Sequence, residues 1–383
     1  MFVANRYRLY PTEEQKVLLG KHFGCVRWVY NKGLAMKTEA WEERKENLTR
    51  YDIQKHIPLW KACDETAWLS EVGGQSLQSA LCNLEIAFTK FFREKKGYPK
   101  FKSKHDKQSF QVPQRGRVGH NYIHIPKLLE IRAVISRPCV GTVKSITVTK
   151  TPSGKYFATV FCDNGQALPI KRPVTESGTV GIDLGLKDFA VLSTGERIKN
   201  PRKLKKAKGQ LARAQRRCSS KVVGSKNRNK ARMRAARVYE KVTNRRKDFL
   251  HKLTTRLVRD NQTNAFAIED LDVEGMLQNK RLAYSIGDAG WGAFRKMLNY
   301  KSERAGKTVM VIGQYEPSSK ACSCGKINSL LKLSDRSWTC TCGLKHDRDL
   351  NAANNIKRFA LHPQNHLVGR VTPEFTPAEI AVR

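Results

Sequence analysis

The sequence predicts a multidomain α+β protein in which a helical stretch interrupts a small β-domain and an α/β domain follows. Apolar residues recur at steps of three and four between 12 and 92, then alternate at period two between 108 and 164, which is the change from helical to strand spacing. Beyond residue 178, short apolar runs end in acidic residues and alternate with helical stretches. The 383 residues carry 72 Lys+Arg against 34 Asp+Glu, a net charge of +38. A compact fold with that excess repels itself unless a polyanion balances it. Nucleic acid is the expected polyanion, since each neutralised phosphate also releases condensed counterions.

Residues 2–10 read as a strand with Arg6 and Arg8 on one face, as period-two geometry requires. Pro11 ends it. Thr12-Glu13-Glu14-Gln15 then has the pattern of a capping box. Leu19, Phe23, Val26, Tyr30 and Leu34 follow on one helical face, and a second helix carries Leu77, Leu81, Leu84, Phe88 and Phe91. Tyr98 to Lys104 interleaves bases with aromatics, so Lys100 and Lys102 are candidates for a phosphate track with stacking platforms. Residues 143–150 and 155–162 alternate around Thr151-Pro152-Ser153-Gly154, a hairpin signal. Strand 2–10 is expected to join that sheet, making the helices an insertion.

Gly178 to Gly185 reads as a buried strand ending in Asp183, and Lys187 to Ser193 as its antiparallel return. A strand bearing Asp followed by such a return opens an RNase H-like sheet. Residues 202–247 hold 19 Lys+Arg and one acid, Glu240. Two long helices joined at 219–225 are expected there. A charge run is usually a solvated face, but the balancing acids are almost absent, which favours phosphate binding. Arg213, Arg216, Arg217, Arg232 and Arg245 are the candidate contacts in this run. Asn264 to Leu271 is another apolar strand ending in acid, at Glu269. Ser285 to Tyr300 is expected as one helix, Lys307 to Ile312 as a strand, and Asp349 to Ile356 as the start of the last helix. From 363 onward a flexible tail is expected.

No apolar run approaches the roughly 20 residues that span a bilayer. The first residues lack a basic-then-apolar leader, so a cytoplasmic prokaryotic protein without a membrane partner is expected. Of ten cysteines, four cluster as Cys322, Cys324, Cys340 and Cys342. In a reducing compartment the scattered six are plain thiols and the cluster is a metal candidate. Two close pairs, each followed by Gly, have the form of the two knuckles of a four-thiolate zinc ribbon. Each pair is Cys-x-Cys, one residue shorter than the usual spacing.

Asp183 and Glu269 each end a strand, and Asp349 begins a helix. Strand-end carboxylates lie where α/β sheets bind ligands. Three converging carboxylates suit Mg²⁺, which takes a few acids plus phosphate oxygens. Two such ions can drive an in-line phosphodiester displacement. Asp349 shares a face with Ala353, Ile356 and Ala360, so it is the expected ligand, while Asp347 caps the helix or orients its neighbour.

Gly181-Ile182-Asp183-Leu184-Gly185, Ile268-Glu269-Asp270-Leu271, Ser318-Ser319-Lys320 before the paired cysteines, and His346-Asp347-Arg348-Asp349 with Asn351-Ala352-Ala353 together resemble TnpB, the transposon-encoded RNA-guided nucleases related to type V CRISPR effectors. Gly97 to Phe101, Phe249 to Thr254 and Asp288 to Gly292 extend the resemblance over nearly the whole chain. The resemblance implies a RuvC-like nuclease domain (173–313 and 346–362) with Asp183, Glu269 and Asp349 as catalytic Mg²⁺ ligands. It implies a wedge β-barrel (1–11 and 108–172), a helical recognition domain (12–107) and a zinc-ribbon-like insertion (314–345) that binds target nucleic acid. The expected partners are a guide RNA encoded at the transposon end and double- and single-stranded target DNA, with the protein a monomer on its RNA. Tyr51, Gln75 and Gln78 lie in the region that should approach a short target-adjacent motif, and Lys320 is a candidate for the scissile phosphate. A nuclease-inactive RNA-guided DNA-binding protein and a transposase remain as alternatives.

Overall fold

A computed structural model describes residues 1–363 apart from 315 and 333; the expected tail lies outside the described residues from 364 on. The chain forms two compact units, Met1–Ala167 with Lys221–Arg237, and Leu168–Ser220 with Val238 onward. Among the described residues no helix is long and apolar enough to cross a membrane.

In the first unit, β1 (Phe2–Leu9) leads into α1 (Glu13–Arg44). The predicted capping box is present: the Thr12 side chain accepts from the Gln15 amide and the Gln15 side chain returns to the Thr12 amide. α2 (Arg50–Gln54), α3 (His56–Ala62), a 3₁₀ turn and α4 (Gly74–Glu94) complete the helical part. Leu19, Phe23, Val26, Tyr30 and Leu34 of α1 are all buried, as are Leu77, Leu81 and Leu84 of α4. Gly33 lets the two helices touch, because a Cβ there would press on the Leu81 and Leu84 side chains.

The β part contains β2 (Gln108–Val112), β3 (Arg117–Val118), β4 (Tyr122–Ile125), β5 (Leu129–Val134), β6 (Thr142–Lys150) and β7 (Tyr156–Asp163). Strand β1 joins this sheet as expected, in the order β2-β6-β7-β1-β5-β4-β3, with its register to β7 running from Phe2↔Asp163 to Leu9↔Tyr156. Helices and sheet share one core, in which Phe110 of β2 packs on the rings of His22 and Phe23. The closed barrel expected here does not form. β2 and β3 are the two outer strands, and β3 has only two residues, too short a ladder to close a staggered barrel.

The second unit is built on a five-stranded mixed sheet of β8 (Thr179–Leu184), β9 (Asp188–Leu192), β10 (Arg197–Lys199), β11 (Ala265–Glu269) and β12 (Thr308–Ile312), ordered β10-β9-β8-β11-β12. β8, β9 and β10 are antiparallel neighbours, whereas β8, β11 and β12 run parallel. The basic stretch forms α5 (Lys203–Ser219) and α6 (Lys226–Arg259), and the part of α6 up to Arg237 belongs to the first unit. Next come α7 (Val273–Gln278), α8 (Ala283–Ala289) and α9 (Trp291–Arg304). The single helix expected over 285–300 is broken at Gly290, whose φ of 73° is left-handed. Glycine adopts that conformation freely and a helix interior cannot.

One sheet face, with Val180, Ile182, Phe266 and Ile268, packs on Leu250, Leu253, Phe294 and Leu298 of α6 and α9. The opposite face receives α10 (Arg348–Leu361), which follows the short hairpin β13 (Ser337–Thr339) and β14 (Lys345–Asp347). Gly181 makes room for α10: a Cβ at that position would overlap the carbonyl oxygen of Ala353.

Candidate functional site

Sheet register brings two of the predicted acids together. β8 and β11 are parallel with Ile182 opposite Ile268, so the next residues, Asp183 and Glu269, stand side by side at the same strand end. Parallel neighbours are separated by about 4.8 Å. Side chains alternate across the sheet, so both acids share the face of Gly181 and Ala267, which is the face covered by α10. Asp349 lies one turn before Ala353, at the helix end nearest that edge. The third carboxylate thus arrives from the covering helix rather than from the sheet.

Asp183 lies within electrostatic reach of both other carboxylates. Asp183 is raised to about 7, first by desolvation and then by the carboxylates of Asp349 and Glu269, with Arg348 opposing. The residue is partly exposed, and burial of its carboxyl group is the larger influence on its ionisation. Glu269 is likewise raised to about 7 by desolvation. Among the described residues neither carboxyl has a hydrogen-bond or ion-pair partner within reach. Asp349 is different: its oxygens lie 3.7 Å from Arg197 and 3.8 Å from Arg336. Two crowded acids without partners are unfavourable alone, and a divalent cation relieves both the burial and the repulsion. The donor set therefore fits hard metal ions. The three carboxylates are not drawn within 4.8 Å of one another, so they do not form a cage for a single ion.

Asp347 caps α10 by accepting from the Leu350 amide at 2.9 Å and pairs with Arg197 at 2.6 Å. It does not share the position of Asp349. Two residues outside the expected set hold α10 to the chain before the cysteines. The Asn355 side-chain amide donates to Ser318 O and Ala321 O at 2.7 Å, and that of Asn351 to Ala321 O at 2.8 Å. The unbroken Asn351-Ala352-Ala353-Asn354-Asn355 run was the available signal, since buried amides in a helix need partners.

The four cysteines do converge, with all their sulfur atoms within 4.8 Å of one another. Cys322 and Cys342 are 3.6 Å apart, and Cys324 and Cys340 3.7 Å. A tetrahedral zinc with sulfur at about 2.3 Å requires sulfur pairs near 3.8 Å, so the set fits that ion. The knuckles match: Gly325 donates to Cys322 O and Gly343 to Cys340 O, with φ of 91° and 87°. The Cys340 thiol is lowered to about 6, first by the backbone amide of Cys342 and also by the neighbouring thiols. His346 Nε2 lies 3.1 Å from the Cys322 sulfur and its ring rests on Trp338.

The candidate nucleic-acid residues are placed as follows. Arg213, Arg216 and Arg217 on α5, Arg232 and Arg245 on α6, and Lys100 are exposed. Lys102 instead turns its ammonium over the Tyr30 ring at 3.6 Å. Lys320 is half-buried, in the turn before the first knuckle. Tyr51 is exposed beneath the Arg50 guanidinium, Gln78 is exposed on α4, and Gln75 is bonded to Gln114 at 2.9 Å. These three belong to the first unit.

In fold the chain is similar to the Cas12f1 chain of a Cas12f1–sgRNA–target DNA complex, with a TM-score of 0.58 over 93% of this chain and 98% of that one, at 13% identity. Three family models match: one described as a probable transposase at 150–280, one as the Cas12f1-like TNB domain at 291–356, and one as a helix-turn-helix domain at 1–46. That last stretch forms one strand and one continuous helix here. A protein of Streptomyces pristinaespiralis named "Putative RNA-guided DNA endonuclease" is 42% identical over 92% of this chain and 88% of its own length. InsQ of Escherichia coli K12, named in the same way, is 29% identical over 92% of this chain and 91% of its own. The chain belongs to the TnpB family.

Proposed function

We propose that the chain is a transposon-encoded, RNA-guided DNA endonuclease whose RNase H-like, RuvC-type sheet cuts phosphodiesters with Mg²⁺ held by Asp183, Glu269 and Asp349. The observation that carries this reading is the placement of three acids from β8, β11 and α10 at one sheet edge, two of them without a hydrogen-bond or ion-pair partner among the described residues. Bound divalent ions supply Lewis-acid stabilisation of the phosphate and its entering and leaving oxygens. The chain's own residues supply placement. Asp183 and Glu269 are fixed by strand register and lose their protons to become ligands. Asp349 is fixed by the seating of α10 on Gly181 and by the Asp347 cap. The exposed arginines of α5 and α6 bind backbone phosphates without regard to sequence, while guide–target pairing reads sequence.

The remaining assignments follow the same reading. Residues 1–11 and 108–172 act as the wedge, and 12–107 as the recognition part, with Tyr51, Gln75 and Gln78 facing the target-adjacent motif. The Cys322, Cys324, Cys340 and Cys342 set holds a structural zinc in an insertion at 314–345 that contacts target nucleic acid. The nuclease part is 173–313 with 346–362, and the protein works as a monomer on one guide RNA.

The test is to purify the protein with the RNA transcribed from its own locus, sequence that RNA, and offer a plasmid that matches it. Mg²⁺-dependent linearisation by the intact protein, lost in D183A at unchanged RNA content, is the expected result. Binding without cutting would favour the nuclease-inactive alternative. Joined strand-transfer products would favour the transposase, the alternative that the description of the family model at 150–280 keeps in view.

A further inference from the structure

Arg197 is the first residue of β10, an outer strand of the sheet. Register places it in the same row as the acids. Arg197 pairs with Val191, and Val191 pairs with Asp183 on its other side. Directly opposed residues project to the same face, so Arg197 shares the α10 face with Asp183, two strands away. Its guanidinium meets three carboxylates there: Asp347 at 2.6 Å, Asp188 at 3.5 Å and Asp349 at 3.7 Å. Arg336 stands 3.8 Å from the other oxygen of Asp349.

These contacts are unequal. A charge-assisted hydrogen bond to a carboxylate is about 2.7–2.9 Å long. The bond to Asp347 is of that kind, and Asp347 is itself tied down as the cap of α10. The approach to Asp349 is long and purely Coulombic. Arg197 is therefore anchored on Asp347 and can lose Asp349 without losing its own position.

We propose that Arg197 is a positioning residue of the nuclease site. In the metal-free protein it stands in for cation charge beside Asp349, keeps that carboxylate aimed at the row of Asp183 and Glu269, and yields it when divalent ions arrive. This rests on the triad reading given above. It makes Arg197 a competitor of the ions, and that fixes the sign of its removal. A merely structural arginine that holds Asp347 and α10 has the opposite sign, because losing it would disorder Asp349 and weaken the site.

Mn²⁺ binding to the full-length protein is the test, followed by electron paramagnetic resonance for the intact chain, R197Q, R197K and D349N. The expected result is that R197Q binds Mn²⁺ about fifteenfold more tightly, the size given by removing one unit charge at roughly 5 Å from a divalent ion in a water-like dielectric. R197K, which keeps the charge, should remain near the intact protein, and thermal unfolding of R197Q in the absence of metal should show that the fold persists. Unchanged or weaker Mn²⁺ binding by a folded R197Q would overturn the proposal while leaving the triad in place. No Mn²⁺ binding sensitive to D349N in the intact protein would overturn the triad reading, and this proposal with it.

Discussion

Asp183 shows what a single residue contributes and what it costs. Its folded-state pKa of about 7 lies well above its ordinary 3.8, so the folded protein holds that proton more tightly than the unfolded chain does. The associated stability is complete below pH 3.8 and is lost as pH rises toward 7. In metal-free protein at pH 8, D183N should therefore raise the melting temperature by several degrees while abolishing cleavage. Mg²⁺ affinity of the intact protein should climb with pH up to about 7 and then level off, because ligation displaces a proton. A melting temperature unchanged or lowered by D183N would contradict the burial argument. The positions of Asp183, Glu269 and Asp349 at element ends were legible in the sequence because a recognisable pattern surrounds each. Arg197 was not. Its role depends on which strands lie side by side, and nothing near Arg197 in the chain announces the Arg197–Val191–Asp183 row.

At the scale of elements, α10 and its attachments organise the second unit. Gly181 admits the helix, Ala352, Ala353 and Ile356 bury its inner face, and Asn351 and Asn355 fasten the first knuckle to it. The cysteine cluster is thereby linked to the helix that carries Asp349. Zinc analysis of protein purified without added metal should give one ion per chain, and C340S should lose it and destabilise the unit. A zinc-free, equally stable intact protein would show that the shortened pairs do not hold the ion. The helices and strands were readable because apolar period separates 3.6 from 2 residues. Two features were not. The open edge of the first sheet reflects a two-residue β3, a length no periodicity reveals, and the break at Gly290 depends on a left-handed φ that an isolated glycine does not announce.

At the scale of the whole molecule, the +38 charge and the acidic row are opposite halves of one design. Exposed arginines on α5 and α6 favour any polyanion, whereas a phosphate backbone brought near Asp183, Glu269 and Asp349 is repelled unless divalent ions intervene. Nucleic-acid binding and chemistry are then separable, the first depending on the basic helices and the second on the metal. Nucleic-acid partners were foreseeable from composition, and the element ends that carry the three acids from three short motifs. The most direct measurement is the number of Mn²⁺ ions bound by the guide-loaded protein on an uncleavable phosphorothioate target, read by electron paramagnetic resonance. The account predicts two ions close enough to couple, with at least one lost in E269Q. A complex that binds its target yet holds no such ions, or holds them equally well in E269Q, would contradict it.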